Sequence, residues 1–226
     1  MTTSAAEAGK PPRLSAPELI DTVLDAGSFV SWDSPIVRPD DLDPEYLADI
    51  RAAEEKSGVD EAILTGSGTI RGFRVAVVAN EFRFLAGSIG IAAADRLDAA
   101  IRRATAEGLP LLAATASGGT RMQEGTAAFV QMVRITDAIA AHRAAGLPYL
   151  VYLRHPTTGG VFASWGSLGH VTVGEPGALI GFLGPKVFQA LYNKPFPPGV
   201  QQAENLLRHG LLDAVLPAHR LPEIAS

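Results

Sequence analysis

The sequence of 226 residues has no cysteine. Disulfides, zinc-thiolate sites, iron–sulfur clusters and a cysteine nucleophile are therefore excluded, and a reducing cytoplasmic location is expected. It also has no basic run. Its 19 Lys and Arg face 24 Asp and Glu, for a formal net charge of −5, whereas nucleic-acid surfaces carry the opposite balance. No apolar stretch reaches the ~20 residues that a membrane helix needs. The opening MTTSAAEAGKPPRLSAPEL lacks the apolar centre of a secretion signal. Residues 1–14 read as a disordered lead-in. Aromatics are sparse at 7 %, but 47 % of residues are apolar. That is enough for one core, so residues 15–226 are read as a single domain.

Hydrophobic spacing divides the chain into elements. SAPELIDTVLDA (15–26) predicts a short helix capped by Ser15, with Pro17 in its first turn. Residues 27–42 read as loop, and 43–57 as a charged helix that packs only lightly. AILTGSGTIRGFRVAVVANEF predicts two antiparallel strands joined at Arg71 and Gly72. Ile91, Ala94, Leu97, Ile101 and Ala104 recur at helical spacing. LPLLAATAS and LPYLVYL are too apolar for exposed strands and predict buried, parallel ones. A long helix is expected between them over about 120–144, then a helix at 160–168, strands at 170–174 and 178–183, a helix at 200–209 and a last strand, LLDAVLP. Strand, helix, strand is a crossover unit that places both strand tips on one edge of the sheet, where open α/β folds hold ligands.

Those two tips are alike. Each segment begins Gly-Leu-Pro, runs through a strand and ends in a glycine pair, Gly118-Gly119 in one and Gly159-Gly160 in the other. Backbone N–H groups at the start of a helix have no internal partner, and glycine lets another molecule approach them closely. Two such ends facing each other form an oxyanion hole. Glycine pairs also serve turn geometry alone, and Thr120 with Gln123 forms a purely structural capping box; spacing does not choose between these readings. His155 lies between a buried strand and the second pair. It reads either as a general base or partner to a substrate carboxylate, or as a residue that hydrogen-bonds the loop. Arg154 has the donor fork that holds a carboxylate. His142, His209 and His219 are expected on the surface. Ser88 and Ser117 lie near the same loops, and no motif ties either to a histidine and an acid.

ATASGGTRMQEG, GLPYLVYLRHPTTGGVFASWGSLGH, GEPGALIGFLGP and PPGVQQAENLLRHGLLDAVL, with LDAGSFV and NEFRFLAGSIG upstream, resemble in order and spacing the carboxyltransferase β subunit of bacterial acetyl-CoA carboxylase. The likeness runs from about residue 15 to 217. It implies an α/β fold of crotonase type, a spiral of ββα units that binds acyl-CoA and stabilises its enolate with backbone amides. It also implies a biotin group on a separate carrier protein, an α-like carboxyltransferase subunit that completes the site, and an oligomer. The candidate oxyanion residues are Gly118, Gly119, Gly159 and Gly160, with His155 as a catalytic candidate. Candidate substrate contacts are Arg154, Arg121, Ser117, Gly87, Lys186, Lys194 and Arg83; Arg121 and Glu124 are also read as ordering the loop. The family's four-cysteine zinc ribbon has no counterpart here, so no zinc is expected. Thr120 stands where the family has a small residue, Arg154-His155 where it has a polar and an acidic one, Trp165 where a smaller aromatic is usual, and His170 in place of an aspartate.

Three functions follow. The first is a carboxyltransferase component. The second is a biotin-independent decarboxylase of malonyl type using the same hole, mildly favoured by Arg154-His155. The third is a non-catalytic acyl-CoA-binding or scaffold subunit, disfavoured because both glycine pairs are intact.

Overall fold

The computed structural model describes residues 13–38 and 41–225, with the side chains of Pro185 and Lys186 excepted. Residues 1–12 of the expected lead-in lie outside the described residues. Its last residue, Leu14, is already tied down, because its carbonyl accepts from the Arg154 guanidinium.

Helix α1 (Ala16–Val23) starts at Ser15 as expected. The Ser15 hydroxyl accepts from the Glu18 N–H, and the Glu18 carboxylate accepts from the Ser15 N–H at 2.7 Å. After the two-residue strand β1 (Val30–Ser31), helix α2 (Pro44–Ser57) is capped by the Asp43 carboxylate on the N–H groups of Glu45 and Tyr46. Strands β2 (Ile63–Ile70) and β3 (Phe73–Asn80) form the expected hairpin, with positive φ at Arg71 and Gly72. Then come α3 (Ile91–Ala106), β4 (Leu111–Ser117), α4 (Gly125–Ala144), β5 (Tyr149–Thr158), β6 (Val171–Gly174), β7 (Ile180–Gly181), α5 (Pro185–Tyr192), α6 (Ala203–Arg208) and β8 (Ala214–Val215).

The strands form one sheet in the order β1-β2-β3-β4-β5-β6-β8, with β7 paired to the far end of β5. The first three strands are antiparallel, and from β3 onward the pairing is parallel. Every residue of β4 is buried, as a strand covered on both faces must be. On one face α3 and α4 pack Leu97, Ile101, Ile135 and Ile139 against Val78, Leu111, Ala113 and Val151. On the other, α1 and the C-terminal turn place Leu19, Ile20 and Leu221 against Val77, Leu112 and Tyr152. The mixed α/β single domain is the architecture the resemblance implied. No helix among the described residues is long and apolar enough to cross a membrane.

The structure corrects several local expectations. The long helix begins at Gly125, and the Thr120–Gln123 capping box does not form. Residues 119–121 instead run beside the loop before α3: Ile89 donates to the Gly119 carbonyl and Arg121 donates to the Ile89 carbonyl, both at 2.9 Å. The helix expected at 160–168 is a turn followed by one 3-10 turn, Trp165–Ser167, and the strand at 178–183 shrinks to β7. Residues 27–42 contain β1. Helix α2 is not lightly packed, since Tyr46, Ile50 and Ala53 share an apolar cluster with Ala62 and Phe84.

His142 is fully buried rather than on the surface. Its Nδ1 meets the Thr105 hydroxyl at 2.9 Å and its Nε2 the Pro148 carbonyl at 3.3 Å. Burial lowers its pKa below that of an ordinary histidine, outweighing the bond to Pro148. The unfolded chain therefore takes up the proton first as pH falls. The stabilising effect is complete above the ordinary histidine pKa of about 6.5 and is lost below it. We expect the melting temperature to drop between pH 7.5 and 5.5, and His142→Gln to flatten that drop. An unchanged slope in the variant would contradict this role.

Candidate active site

The parallel pairing of β4 with β5 brings Ser117 opposite Thr157, so the loops leaving the two strands start side by side. An added Cβ on Gly119 would lie 3.6 Å from the Thr158 carbonyl oxygen and 3.8 Å from the Gly160 nitrogen, and one on Gly159 would lie 3.5 Å from the Gly119 Cα. The two glycine pairs therefore touch.

A third loop, residues 84–89, closes the group. Gly87 has φ +64, and a Cβ there would sit 2.0 Å from the Ala116 carbonyl oxygen, so only glycine fits. The Gly87 carbonyl accepts from the Ser117 hydroxyl at 2.6 Å and from the Asn80 amide at 3.1 Å. Leu85 and Ala86 hold positive φ values of 43° and 56° without being glycine. Such strain costs on the order of 1 kcal/mol per residue and concentrates at functional sites. These two residues, with Ser88, Gly118, Thr120, Met122 and Gln123, line a cavity of about 510 Å³. Leu85 and Ala86 also line a second cavity of about 340 Å³ that holds Lys56, Arg83, Asp49 and Phe82.

The hydrogen bonds narrow the choice of donors. Gly118 N–H is taken by the Ala86 carbonyl, Gly119 N–H by the Ser117 hydroxyl, and Gly159 N–H by the carbonyls of Gly181 and Phe182. The N–H groups of Gly160 and Thr120 have no acceptor among the described residues. The two residues are near neighbours: a Cβ on Gly160 would lie 3.4 Å from Thr120 Cγ2.

Most of the other expected contacts are committed to the scaffold. Arg154 is buried, and its guanidinium donates to the carbonyls of Asn80 and Leu14, leaving no free fork for a substrate carboxylate. Burial lowers its pKa, against the pull of Glu175. His155 Nδ1 accepts from the Leu179 N–H at 3.0 Å, and the His155 backbone N–H donates to the Glu175 carboxylate at 2.7 Å. This is the loop-binding reading, and neither Arg154 nor His155 lines the cavity. Ser117 and Gly87 shape the loops, as above. Arg121 is buried and bonds Glu61, Tyr46 and the Ser88 carbonyl, so it orders the loop and does not face a ligand. Arg83 pairs with Glu81 at 3.0 Å while lining the smaller cavity. Lys194 is exposed beyond α5; Lys186 is in α5, and its side chain lies outside the described residues. The sequence reading missed Tyr46, Glu61 and Lys56. Nothing in their local pattern connects them to loops more than 20 residues away.

This arrangement, a sheet edge with two touching glycine pairs, belongs to a defined class. Residues 11–211 match the family described as the carboxyl transferase domain, and the chain belongs to it. It is 63 % identical over 210 residues to the probable biotin-dependent acyl-coenzyme A carboxylase beta3 subunit of Mycobacterium tuberculosis (strain ATCC 25618 / H37Rv), covering 92 % of this chain and 42 % of that protein. With the acetyl-coenzyme A carboxylase carboxyl transferase subunit beta of Opitutus terrae (strain DSM 11246 / JCM 15787 / PB90-1) it shares 42 % identity over 214 residues, or 93 % of this chain and 74 % of that one. The fold matches a crystal structure of transcarboxylase 12S with TM-score 0.79 at 22 % identity, over 94 % of this chain and 39 % of the other. The chain thus spans less than half the length of its mycobacterial relative.

Gly119 and Gly160 resist substitution for different reasons. Gly119 has φ +116, open only to glycine, whereas Gly160 has no such φ and only a tight neighbour in Thr120. Gly119→Ala is expected to cost about 1–3 kcal/mol, or roughly 2–12 °C in melting temperature for a chain of this size. Gly160→Ala is expected to cost clearly less. Calorimetry of the two variants checks the order, and equal losses would contradict it.

Proposed function

We propose that this chain is the acyl-CoA-binding half of a biotin-dependent carboxyl transferase. The observation that carries this reading is that two neighbouring residues, Thr120 and Gly160, each have an N–H left without an acceptor among the described residues where the two glycine pairs meet. When the α-carbon of a thioester loses its proton, negative charge gathers on the carbonyl oxygen. Fixed backbone donors stabilise that oxygen without having to reorganise, each by about 3–4 kcal/mol. The thioester oxygen sits on Thr120, which lines the 510 Å³ cavity that takes the acyl-CoA arm, and on Gly160, which adjoins Thr120 outside that lining. The CoA phosphates extend past Leu85 and Ala86 toward Lys56 and Arg83. Lys186 and Lys194 remain rim candidates for the same phosphates.

Among the described residues the cavity lining contains no carboxylate and no imidazole. In this reading the group that removes the α-proton arrives with the carboxyl donor. A carrier-borne biotin approaches from the open side of the cavity, beside the 89 % exposed Met122 and the Gln123 amide. When bound there, biotin supplies the carboxyl group. The remaining walls come from an α-like subunit. Two sets of exposed apolar side chains support such a partner: Phe129, Val130 and Val133 on α4 after Met122, and Val187, Leu191 and Tyr192 on α5 after Phe182. Phe182 adjoins the site, because its carbonyl holds the Gly159 N–H. The Arg154-His155 pair, which favoured a decarboxylase in the sequence, supports no second reading once both residues are bound to the scaffold.

Reconstitution of the chain with an α-like subunit and a biotin donor tests this. Gly160→Val places a branched side chain against Thr120 and is expected to lower turnover at least ~100-fold with an unchanged circular dichroism spectrum. Full activity in Gly160→Val would remove the amide mechanism. Rapid biotin-free conversion of malonyl-CoA to acetyl-CoA by the chain alone would replace carboxyl transfer with decarboxylation.

A further inference from the structure

We propose that Tyr46 and Glu61 are positioning residues for the amide donors, so that helix α2 and the turn after it set the loop. This rests on the reading of Thr120 and Gly160 as donors. The two residues reach the loop through Arg121, the residue next to Thr120. Glu61 and Arg121 form a bidentate pair, with Arg121 Nη1 donating to Glu61 Oε2 at 3.1 Å and Nη2 donating to Oε1; neither side chain is exposed. Arg121 Nη1 also donates to the Tyr46 hydroxyl at 3.3 Å, and Nη2 to the Ser88 carbonyl at 2.8 Å. The Tyr46 hydroxyl donates in turn to Glu124, whose other oxygen accepts from the Ile91 N–H at 2.5 Å at the start of α3. Helix α3 has no cap from its own Gly90, so the far end of the loop caps it.

The cluster leaves no slack. A Cβ on Gly90 would lie 2.3 Å from Glu124 Oε1 and 2.8 Å from Arg121 Nη1. Glu61 Oε1 also accepts from the Ala62 N–H at 2.7 Å, so its carboxylate is fixed from behind. On the backbone, Thr120 lies between the two bonds to Ile89. The guanidinium anchors the residue that follows Thr120, so releasing it from Glu61 leaves Thr120 held by those two bonds to Ile89. Tyr46 and Glu61 touch no ligand, and their effect passes through Arg121 and Glu124. A residue that only stabilised the fold would change the melting temperature and leave turnover and loop exchange below that temperature intact.

The test uses Tyr46→Phe and Glu61→Gln in the reconstituted complex, with Glu55→Gln on the exposed side of α2 as control. The readouts are kcat, KM for acyl-CoA and amide hydrogen exchange across residues 117–121. The expected result is a ten- to hundredfold fall in kcat, KM within twofold, and faster exchange at Arg121, whose N–H is held by the Ile89 carbonyl, with the control unchanged. Unchanged exchange and unchanged kcat, with a lower melting temperature alone, would overturn the proposal. Should Glu61→Gln not fold, Tyr46→Phe, which removes one hydroxyl, decides. If the wild-type complex transfers no carboxyl group, the functional reading fails, and the exchange data still settle whether α2 holds the loop.

Discussion

The sheet edge that carries the proposed site hangs from one buried ion pair, Arg121 with Glu61. Both side chains are fully withdrawn from water. Burial alone would make the guanidinium easier to deprotonate, and the Glu61 carboxylate more than reverses this, so the net shift of the Arg121 pKa is upward. Burial also pushes the neighbouring Tyr46 phenol up, together with its bond to Glu124, to about 12. Tyr46 therefore stays a neutral donor across the working pH range. Removing one member of such a pair strands the other, a loss of about 3–5 kcal/mol. That cost explains why residues 119–121 keep an extended path beside the loop before α3 although their composition favours a helix start.

From that anchor the geometry propagates outward. Arg121 fixes the peptide of Thr120, and the bonds to Ile89 fix it from both sides. Strands β4 and β5, paired in parallel, place the second glycine pair against the first. Three of the four glycine amides are spent on holding loops in place, and Gly160 is left over. Four glycines at the site thus make one free glycine amide. The others contribute shape: Gly119 through its φ, Gly87 and Gly90 through close approach of neighbouring atoms.

The sheet was legible because its signals are local. Ser15 with Glu18, Arg71 with Gly72, and the unbroken apolar runs of β4 and β5 each act within a few residues. The meeting of the glycine pairs at one sheet edge was legible for the same reason. What the sequence concealed depends on distance along the chain. The capping pattern at Thr120 and Gln123 is sound chemistry, yet a bond to Ile89, over 30 residues earlier, overrides it. His142 sits in an ordinary helical stretch, and only the packing of Thr105 and Pro148 around it shows that it is buried. Arg154 and His155 have side chains suited to a pocket, while cavities and bond partners show them holding Leu14, Asn80 and Leu179. Glu61 and Tyr46 lie in and after a helix whose charge suggested a solvated face, and their partner is 60 or more residues away.

The central claim is that Thr120 and Gly160 donate to a thioester oxygen, and nuclear magnetic resonance of the labelled chain tests it most directly. The amide protons of both residues are assigned, and acetyl-CoA is compared with free CoA. The account predicts that acetyl-CoA moves both signals downfield, as a new acceptor must, while free CoA leaves them in place and shifts residues around Lys56 and Arg83. Binding of acetyl-CoA with both amide signals unmoved would contradict it.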